Sequence, residues 1–537
     1  MKHRAIKRRN VVIGIGATAG AAVAGGLTLS AQASTGTASD EPSGALTFDT
    51  DAYTELTTTV TTDDGDKEVK YRFWKAITYV AKPVDEKYQS LNVSVPVEID
   101  GKAIDASDAP ILFANSVGGY MPSSVADADG VGGGGMPGGG GGGGTPGGGG
   151  GGGGTPGGGG GGGGTPGGGG AMNANQLLAL AAGYVVVEPG ARGRTLKDDD
   201  GTYYGTAPAA IVDLKAAVRY VRANKGRIPG NTDRIVSAGT SAGGALSSLL
   251  GASGDSRIYA KYLSELGAAD ASDAIFATGA WCPIADLEHA DGAYEWNWGA
   301  NKQSNGEQVD QATSKQLRAQ FAEYQASLRL RRIDGHGLLT ARNYDDYLLT
   351  HYLQPSATRY LKGLSDSDRT AYLADNTFIT WQGGQATFTW EDFLTHVGAR
   401  KKDTPAFDPF DLSAPENNEF GAGTTEARHF TAYGARHDTS GLDSKRVASD
   451  IPEKLDLMNP MYHLERRNPG RSKHWWIRLG TKDSDTSLTV SANIAASAAG
   501  LGDKVDHLYY WDQGHAANTD PADFIAWISQ VTGHKKK

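Results

Sequence analysis

The stretch AGTSAGGALSSLL, residues 238–250, contains a Gly-x-Ser-x-Gly match centred on Ser241. In a chain with 76 glycines this match has little weight by itself, so its setting must decide its meaning. Residues 234–238 have the apolar pattern of a strand, and the residues after Ser241 continue as a helix. The sequence therefore predicts that Ser241 occupies a sharp strand-to-helix turn, with close packing permitted by Gly239, Ala242 and Gly243.

Strand and helix patterns alternate around this turn. Residues 111–114 and 184–187 have the pattern of strands, whereas residues 173–182 and 211–223 have the pattern of helices. This alternation predicts an α/β fold with a mostly parallel, doubly wound sheet. The carboxyl edge of such a sheet is where side chains after different strands can meet, so Ser241 is a candidate nucleophile.

A serine hydroxyl is a weak nucleophile, so it needs a histidine as general base and a carboxylate that orients the histidine. A predicted strand at residues 475–479 precedes a loop with Asp483 and Asp485, and one at 507–511 precedes a loop with His515. These candidates follow Ser241 in the order serine, acid, histidine. His474 and His507 are placed at strand starts, on the wrong edge, and the choice between Asp483 and Asp485 stays open at this point.

A tetrahedral intermediate also needs backbone donors for its oxyanion. The residue after the nucleophile, Ala242, supplies one such N–H group. The loop FANSVGGY, residues 113–120, follows an early strand and offers Gly118 and Gly119 for the second. We expect the second donor to come from one of these two glycines.

The N-terminus has the pattern of an export signal. A basic start is followed by an apolar stretch at residues 11–29 and by a small-residue cleavage site before Ser34. The adjacent Arg8 and Arg9 indicate the twin-arginine route, and the alternative is a retained membrane anchor. The sequence predicts a signal at residues 1–33 and a secreted protein without stable membrane association after cleavage.

The charge of the chain disfavours a nucleic-acid-binding protein, and its cysteine content excludes one stabilised by internal disulfides. Removal of residues 1–33 takes away five positive charges and changes the formal net charge from −10 to −15, which disfavours nucleic-acid binding. The single cysteine, Cys282, cannot form an internal disulfide, and its apolar neighbours predict a buried, inert thiol.

Residues 127–170 form a glycine-rich low-complexity insertion in which TPGGGG recurs from Thr145, Thr155 and Thr165. The repeat lacks the strand, helix and lysine that a phosphate-binding loop requires, so we interpret it as a flexible surface excursion.

The chain resembles the bacterial tannases of the α/β-hydrolase fold, which are related to feruloyl esterases. The resemblance rests on YVAKPVDEKYQSLNVSVP, NSVGGY, GTSAGG, AWCPIADLEHAD, PAFDPFDLSAPENNEFG, and RLGTKDSDTS before GH. It implies a secreted serine esterase for small aromatic galloyl esters, with no metal or cofactor, and a triad of Ser241, Asp483 and His515.

The resemblance also implies an acyl pocket. The galloyl hydroxyls would form hydrogen bonds with Lys402, Glu416 and Asp485, and the ring would lie between Ile284 and Pro415. Lys401 is adjacent, so the register of the lysine could differ by one position. Without the resemblance, Lys402 and Glu416 would be interpreted as a solvated surface pair.

The remaining boundaries follow from where the α/β alternation stops. Residues 34–285 and 458–537 are predicted to form the hydrolase core, and residues 286–457 to form an inserted lid that selects the substrate. The alternative functions are a feruloyl or general carboxylesterase, a prolyl-oligopeptidase-type serine peptidase, and a catalytically inactive wall-binding module.

Overall fold

The computed structural model describes residues 46–134, 174–333 and 335–534. The predicted export signal at 1–33 and most of the glycine-rich insertion at 127–170 lie outside the described residues. None of the helices in the described ranges is both long enough and apolar enough to cross a membrane.

The strands are β1 Thr54–Thr62, β2 Gly65–Thr78, β3 Ser90–Ile99, β4 Lys102–Ala103, β5 Ile111–Ala114, β6 Val185–Pro189, β7 Ile235–Thr240, β8 Ala277–Trp281, β9 Thr380–Gln382, β10 Gln385–Thr387, β11 His474–Gly480 and β12 Lys504–Tyr510. The α-helices are α1 Ala174–Ala181, α2 Ala209–Ala223, α3 Ala242–Ser253, α4 Ala260–Glu265, α5 Leu287–Trp298, α6 Gln311–Leu328, α7 Tyr344–Leu348, α8 Gln354–Gly363, α9 Asp366–Asp375, α10 Trp390–Val397, α11 Pro415–Glu419, α12 Ala432–Arg436, α13 Ile451–Met458, α14 Pro460–Glu465, α15 Leu488–Gly500 and α16 Pro521–Thr532. A 3₁₀ turn at Arg257–Tyr259 and a π-helical turn at Leu349–Leu353 complete the regular elements.

The main sheet has the order β1-β2-β3-β6-β5-β7-β8-β11-β12, and β4 pairs with β3. From β6 to β12 all neighbours are parallel, whereas β1, β2, β3 and β6 pair in an antiparallel manner. Buried side chains on both faces fit this parallel half, and all residues of β5, β6 and β8 are buried. The α/β class and the mostly parallel sheet are as predicted.

Helices cover both faces of this sheet. Thr278 and Gly279 are consecutive residues of β8, so they point to opposite faces. Gly251 of α3 packs against the Thr278 side chain, and a Cβ atom at Gly279 would come within 2.8 Å of the Phe524 ring of α16. The α3 and α16 helices therefore lie on opposite faces, as the doubly wound prediction requires.

The region between β8 and β11 adds no strand to the main sheet in its described residues. It contains α5 to α14 and the β9–β10 hairpin. The Trp296 ring of α5 lies 5.8 Å from Phe321, 5.4 Å from Tyr344 and 5.5 Å from Trp390, measured between centroids. The aromatic residues around Trp296 thus form a local core in this region.

One expectation about strand position was wrong. His507 lies in the middle of β12 rather than at its start, because the strand already begins at Lys504. Polar residues at the beginning of β12 hide this boundary from a reading of apolar runs, and Arg478 of β11 holds Asp506 there at 3.0 Å.

Candidate active site

Ser241 lies at the turn between β7 and α3, with φ 61° and ψ −122°. This left-handed backbone is unfavourable for a residue with a side chain, so the surrounding contacts must hold it. The Ser241 N–H donates to the Trp281 carbonyl at the end of β8 at 3.0 Å. A Cβ atom at Gly243 would come within 2.6 Å of Asn115 Oδ1 and 2.8 Å of the Val117 carbonyl, so only glycine fits there.

The structure brings Ser241, His515 and Asp483 together in one chain of hydrogen bonds. His515 Nε2 lies 2.9 Å from Ser241 Oγ, and His515 Nδ1 lies 2.8 Å from Asp483 Oδ2. Asp483 follows β11 and His515 follows β12, and β11 lies next to β8 in the sheet. Parallel strands end at the same edge, which is why three distant residues converge.

Burial and charge together determine the pKa of His515 in this series of hydrogen bonds. The Asp483 side chain is fully buried, and its Oδ1 accepts the Asp485 N–H at 3.0 Å. Burial alone lowers the pKa of His515, but the hydrogen bond to Asp483 and the neighbouring Cys282 thiol outweigh it and hold this pKa above its usual range. The imidazolium that forms during proton transfer is therefore stabilised.

Cys282 is buried, as expected, but its neighbours were not anticipated. Its sulfur and the ligand atoms of Asp483 and His515 lie within 4.8 Å of one another, close enough to hold a metal ion. Both nitrogens of His515 already face Asp483 and Ser241, so coordination would compete with these hydrogen bonds. No sequence signal connects Cys282 with loops about 200 residues later.

The predicted oxyanion donors lie on two elements around Ser241. Ala242 is the first residue of α3, where helix N–H groups have no acceptor within the helix. Gly118 and Gly119 lie in a turn closed by the Met121 N–H, which donates to the Gly118 carbonyl at 2.9 Å. Gly119 has φ +54°, and its carbonyl accepts from Arg194 Nε at 2.8 Å.

Ile284 is buried beside the nucleophile. Its N–H donates to the Ser241 carbonyl at 3.3 Å, and its own carbonyl accepts the Tyr120 hydroxyl at 2.9 Å. Pro415 is exposed and begins α11, and Arg194 joins this helix to the glycine turn through Asn418 Oδ1 at 3.2 Å. Tyr120 and Arg194 were not predicted, because their role depends on contacts between distant segments.

Lys402 and Glu416 are not a solvated surface pair. Lys402 Nζ lies 3.9 Å from Glu416 Oε1, and these side chains are only 19% and 10% exposed. Oε2 of Glu416 is buried and has no hydrogen-bond partner among the described residues. Such an oxygen is costly unless a ligand hydroxyl reaches it.

The neighbouring lysine contacts a different carboxylate. Lys401 Nζ lies 2.7 Å from Asp485 Oδ1, and its side chain is 61% exposed. Asp485 Oδ2 is in turn 4.0 Å from His515 Nδ1. The two lysines thus pair with two different predicted acyl-pocket carboxylates, which the sequence register could not resolve.

Comparisons with known proteins were consistent with one another. The BD-FAE family model, a feruloyl-esterase-like domain, matches residues 158–326, and no curated protein sequence matches. Among solved structures, a tannin acyl hydrolase in complex with 3,4-dihydroxybenzoate is similar at 34% identity over 91% of this chain and 99% of that chain, with a TM-score of 0.75.

Two further structures have the same coverage. A tannin acyl hydrolase in complex with ethyl gallate is similar at 33% identity over 91% of this chain and 99% of that chain, with a TM-score of 0.74. The Fusobacterium nucleatum tannase is similar at 34% identity over 91% of this chain and 99% of that chain, with a TM-score of 0.73.

Proposed function

Because this chain belongs to the tannase, or tannin acyl hydrolase, family and is a carboxylic ester hydrolase, we propose that it cleaves galloyl esters through a Ser–His–Asp triad. The observation that carries the proposal is the hydrogen-bond chain from Ser241 Oγ through His515 to Asp483. It has the geometry of a nucleophile, its general base and an orienting carboxylate.

In the proposed mechanism Ser241 Oγ attacks the ester carbonyl while His515 Nε2 takes its proton. Asp483 fixes the imidazole and stabilises its charged form. The Ala242 N–H, with that of Gly118 or Gly119, holds the oxyanion. The intermediate collapses, His515 returns the proton to the leaving alcohol, and a water molecule activated by His515 then releases the acid from Ser241.

The galloyl preference is proposed from the charged groups beside this triad. Phenolic hydroxyls both donate and accept, so the carboxylates of Glu416 and Asp485 can accept from them and the Lys402 ammonium can donate to them. The partnerless Glu416 Oε2 supports this assignment. Bound 3,4-dihydroxybenzoate and ethyl gallate in relatives support a hydroxylated aromatic acid as the acyl group.

The enzyme mechanism is tested by labelling with a fluorophosphonate probe. The native protein is expected to be labelled, and Ser241→Ala is expected to lose the label and the ester hydrolysis together. Persistent labelling of Ser241→Ala, or no labelling of the native protein, would contradict the assigned nucleophile.

A feruloyl or general carboxylesterase is the second candidate, and the BD-FAE match favours it. That match spans residues 158–326, which include Ser241 but exclude Lys402, Glu416, Asp483 and His515. It therefore supports ester hydrolysis but does not cover the charged acyl-pocket candidates.

We also propose that residues 286–457 form a substrate-selecting lid. Residues 1–33 are proposed to direct export and then to be removed by cleavage. The acyl-pocket candidates Lys402, Glu416 and Pro415 lie in this lid. The basic start, apolar stretch and small-residue cleavage site support export.

A further inference from the structure

We propose that Tyr294 is a positioning residue for acyl selectivity. Its hydroxyl joins the lysine segment, residues 400–403, to the triad loop, residues 483–486, and so sets how Lys402 and Asp485 stand relative to each other. This inference rests on the proposed galloyl preference, and its test separates the two.

The contacts of the hydroxyl carry the inference. Tyr294 is a fully buried residue of α5, and its hydroxyl lies 2.9 Å from the Ser484 carbonyl and 3.1 Å from the Lys402 N–H. Ser484 stands between Asp483 and Asp485 in the chain. One oxygen atom therefore touches the two segments that bear Lys402 and Asp485.

The direction of both hydrogen bonds is fixed by chemistry. A backbone N–H can only donate and a carbonyl can only accept, so the Tyr294 hydroxyl must accept from Lys402 and donate to Ser484. Burial raises the pKa of Tyr294 to about 12, which keeps its proton in place at neutral pH. Phenylalanine has the same ring but can make neither bond.

The same helix contacts the triad loop at Thr486 and the start of α15 at Leu488. Trp298 Nε1 donates to the Thr486 carbonyl at 2.9 Å, and Asn297 Oδ1 accepts the Leu488 N–H at 3.2 Å. Residues 294, 297 and 298 are spaced three and four apart, so they share one face of α5. Of these three, Tyr294 is the residue whose bond also reaches the lysine segment.

The lysine segment is fixed to α5 through the next residue as well. Glu295 and Arg400 form a fully buried ion pair, with Arg400 Nη1 3.0 Å from Glu295 Oε2. Arg400 Nε donates to the Lys402 carbonyl at 2.9 Å. This pair anchors the segment, and the Tyr294 hydroxyl connects it to the triad loop.

The test compares Tyr294→Phe with Tyr344→Phe as a matched control. The Tyr344 hydroxyl is also buried and donates to Asn493 Oδ1 at 2.8 Å, but neither segment above is its partner in these bonds. For each variant kcat/KM is measured on methyl gallate, methyl benzoate and p-nitrophenyl acetate, together with thermal melting.

Tyr294→Phe is expected to lower the methyl gallate to methyl benzoate ratio of kcat/KM about tenfold, the usual size of one net hydrogen bond. The p-nitrophenyl acetate rate should stay within about twofold of the native value, since the triad itself is intact. Tyr344→Phe should lower the melting temperature but leave the ratio unchanged.

An equal loss on all three esters would overturn the inference, because Tyr294 would then support the triad loop in general. An unchanged ratio would overturn it as well. A native protein without gallate preference would instead refute the proposed function, so the two failures are distinguishable.

A second variant guards against misfolding of Tyr294→Phe. Lys401 makes the other connection between the two segments through Asp485, and its side chain is mostly exposed, so Lys401→Gln is expected to fold. It should lower the gallate to benzoate ratio severalfold, less than Tyr294→Phe, because a partly exposed ion pair is weak. If Tyr294→Phe does not fold, an unchanged ratio in Lys401→Gln overturns the inference.

Discussion

At the scale of single residues, the proposed catalysis depends on the protonation state of His515. Burial lowers its pKa, but the Asp483 carboxylate and the Cys282 thiol raise it by more, so the pKa of His515 lies above its usual range. The general base must be neutral to accept the Ser241 proton. Because the pKa of His515 is raised, the loss of activity on acidification should begin at a higher pH than it would with an ordinary histidine.

The pH profile of kcat/KM should accordingly rise across the neutral to alkaline range. It should be measured on an ester without phenolic hydroxyls, because such a substrate does not itself ionise in this range. Asp483→Asn removes the carboxylate that holds the imidazole in the correct tautomer and stabilises its charged form, so activity should fall by roughly 10³- to 10⁴-fold and leave a residual rate. The acidic limb of that residual activity should move to lower pH. A limb at the same pH in both proteins would contradict the assignment of Asp483.

The acyl pocket gives a second prediction at this scale. Glu416→Gln replaces a buried carboxylate that has one partnerless oxygen. Loss of a charged hydrogen bond of about 1.5–3 kcal/mol should lower kcat/KM for methyl gallate on the order of 10- to 100-fold. The rate on methyl benzoate should change little. Glu391→Gln, an exposed position of the lid, is the control and should leave both rates unchanged.

Residue roles were only partly predictable from the sequence. Spacing and strand context selected Ser241 and His515, and the resemblance to the tannases selected Asp483 over Asp485; the structure brings Ser241, Asp483 and His515 within hydrogen-bond distance. The contacts of Cys282 and Tyr294 were not predictable, because buried side chains acquire these neighbours only when segments far apart in the chain pack together.

At the scale of elements, the turn between β7 and α3 is packed against the glycine turn. A Cβ atom at Gly243 would meet the side chain of Asn115 and the backbone of Val117, in the segment that leads to Gly118. A backbone atom cannot move aside as a flexible side chain can. The loop that carries the proposed second oxyanion donor is therefore sensitive to the size of residue 243.

Gly243→Ala should lower stability by about 1–3 kcal/mol, as overpacking does, and should reduce kcat more than it raises KM. Gly500→Ala at the end of α15 is the control, since nothing lies within 4 Å of a Cβ atom there. That variant should be as stable as the native protein or about 0.4–1 kcal/mol more stable. Melting curves measure the stability of the two variants, and steady-state kinetics measure their kcat and KM. Equal stability and equal kinetic constants in Gly243→Ala and Gly500→Ala would contradict the packing argument.

Element type was easier to predict than element boundaries. The strand predicted at 111–114 matches β5, and the helix predicted at 211–223 begins two residues earlier, at Ala209. Buried strands of a parallel sheet are apolar throughout and are easily seen in the sequence. The start of β12 was missed because Lys504 and Asp506 are polar strand residues.

At the scale of the whole molecule, the candidate site residues come from two regions, the core and the proposed lid. The core supplies Ser241, Asp483 and His515, whereas Lys402 and Glu416 come from the region between β8 and β11. The sequence indicated this division by the end of the strand and helix alternation near residue 286. The contacts of Tyr294 and Lys401 with the triad loop were accessible only from the fold.

Export gives a prediction for the full chain. Protein recovered from culture medium should begin at Ser34 by N-terminal sequencing, because the small-residue cleavage site precedes it. Replacement of Arg8 and Arg9 by lysine should retain the protein inside the cell if the twin-arginine route is used. Secretion of that variant at the native level would contradict this route, and an uncleaved N-terminus in membranes would favour the anchor.

The most direct test of the proposed function is the hydrolysis of methyl gallate, methyl ferulate and methyl benzoate, with Ser241→Ala as the blank. A site that hydrogen-bonds substrate hydroxyls rejects esters that lack them by orders of magnitude, since its buried polar groups would be left unpaired. We expect a strong preference for gallate and almost no cleavage of benzoate. Cleavage of ferulate or benzoate at the gallate rate would contradict the galloyl assignment.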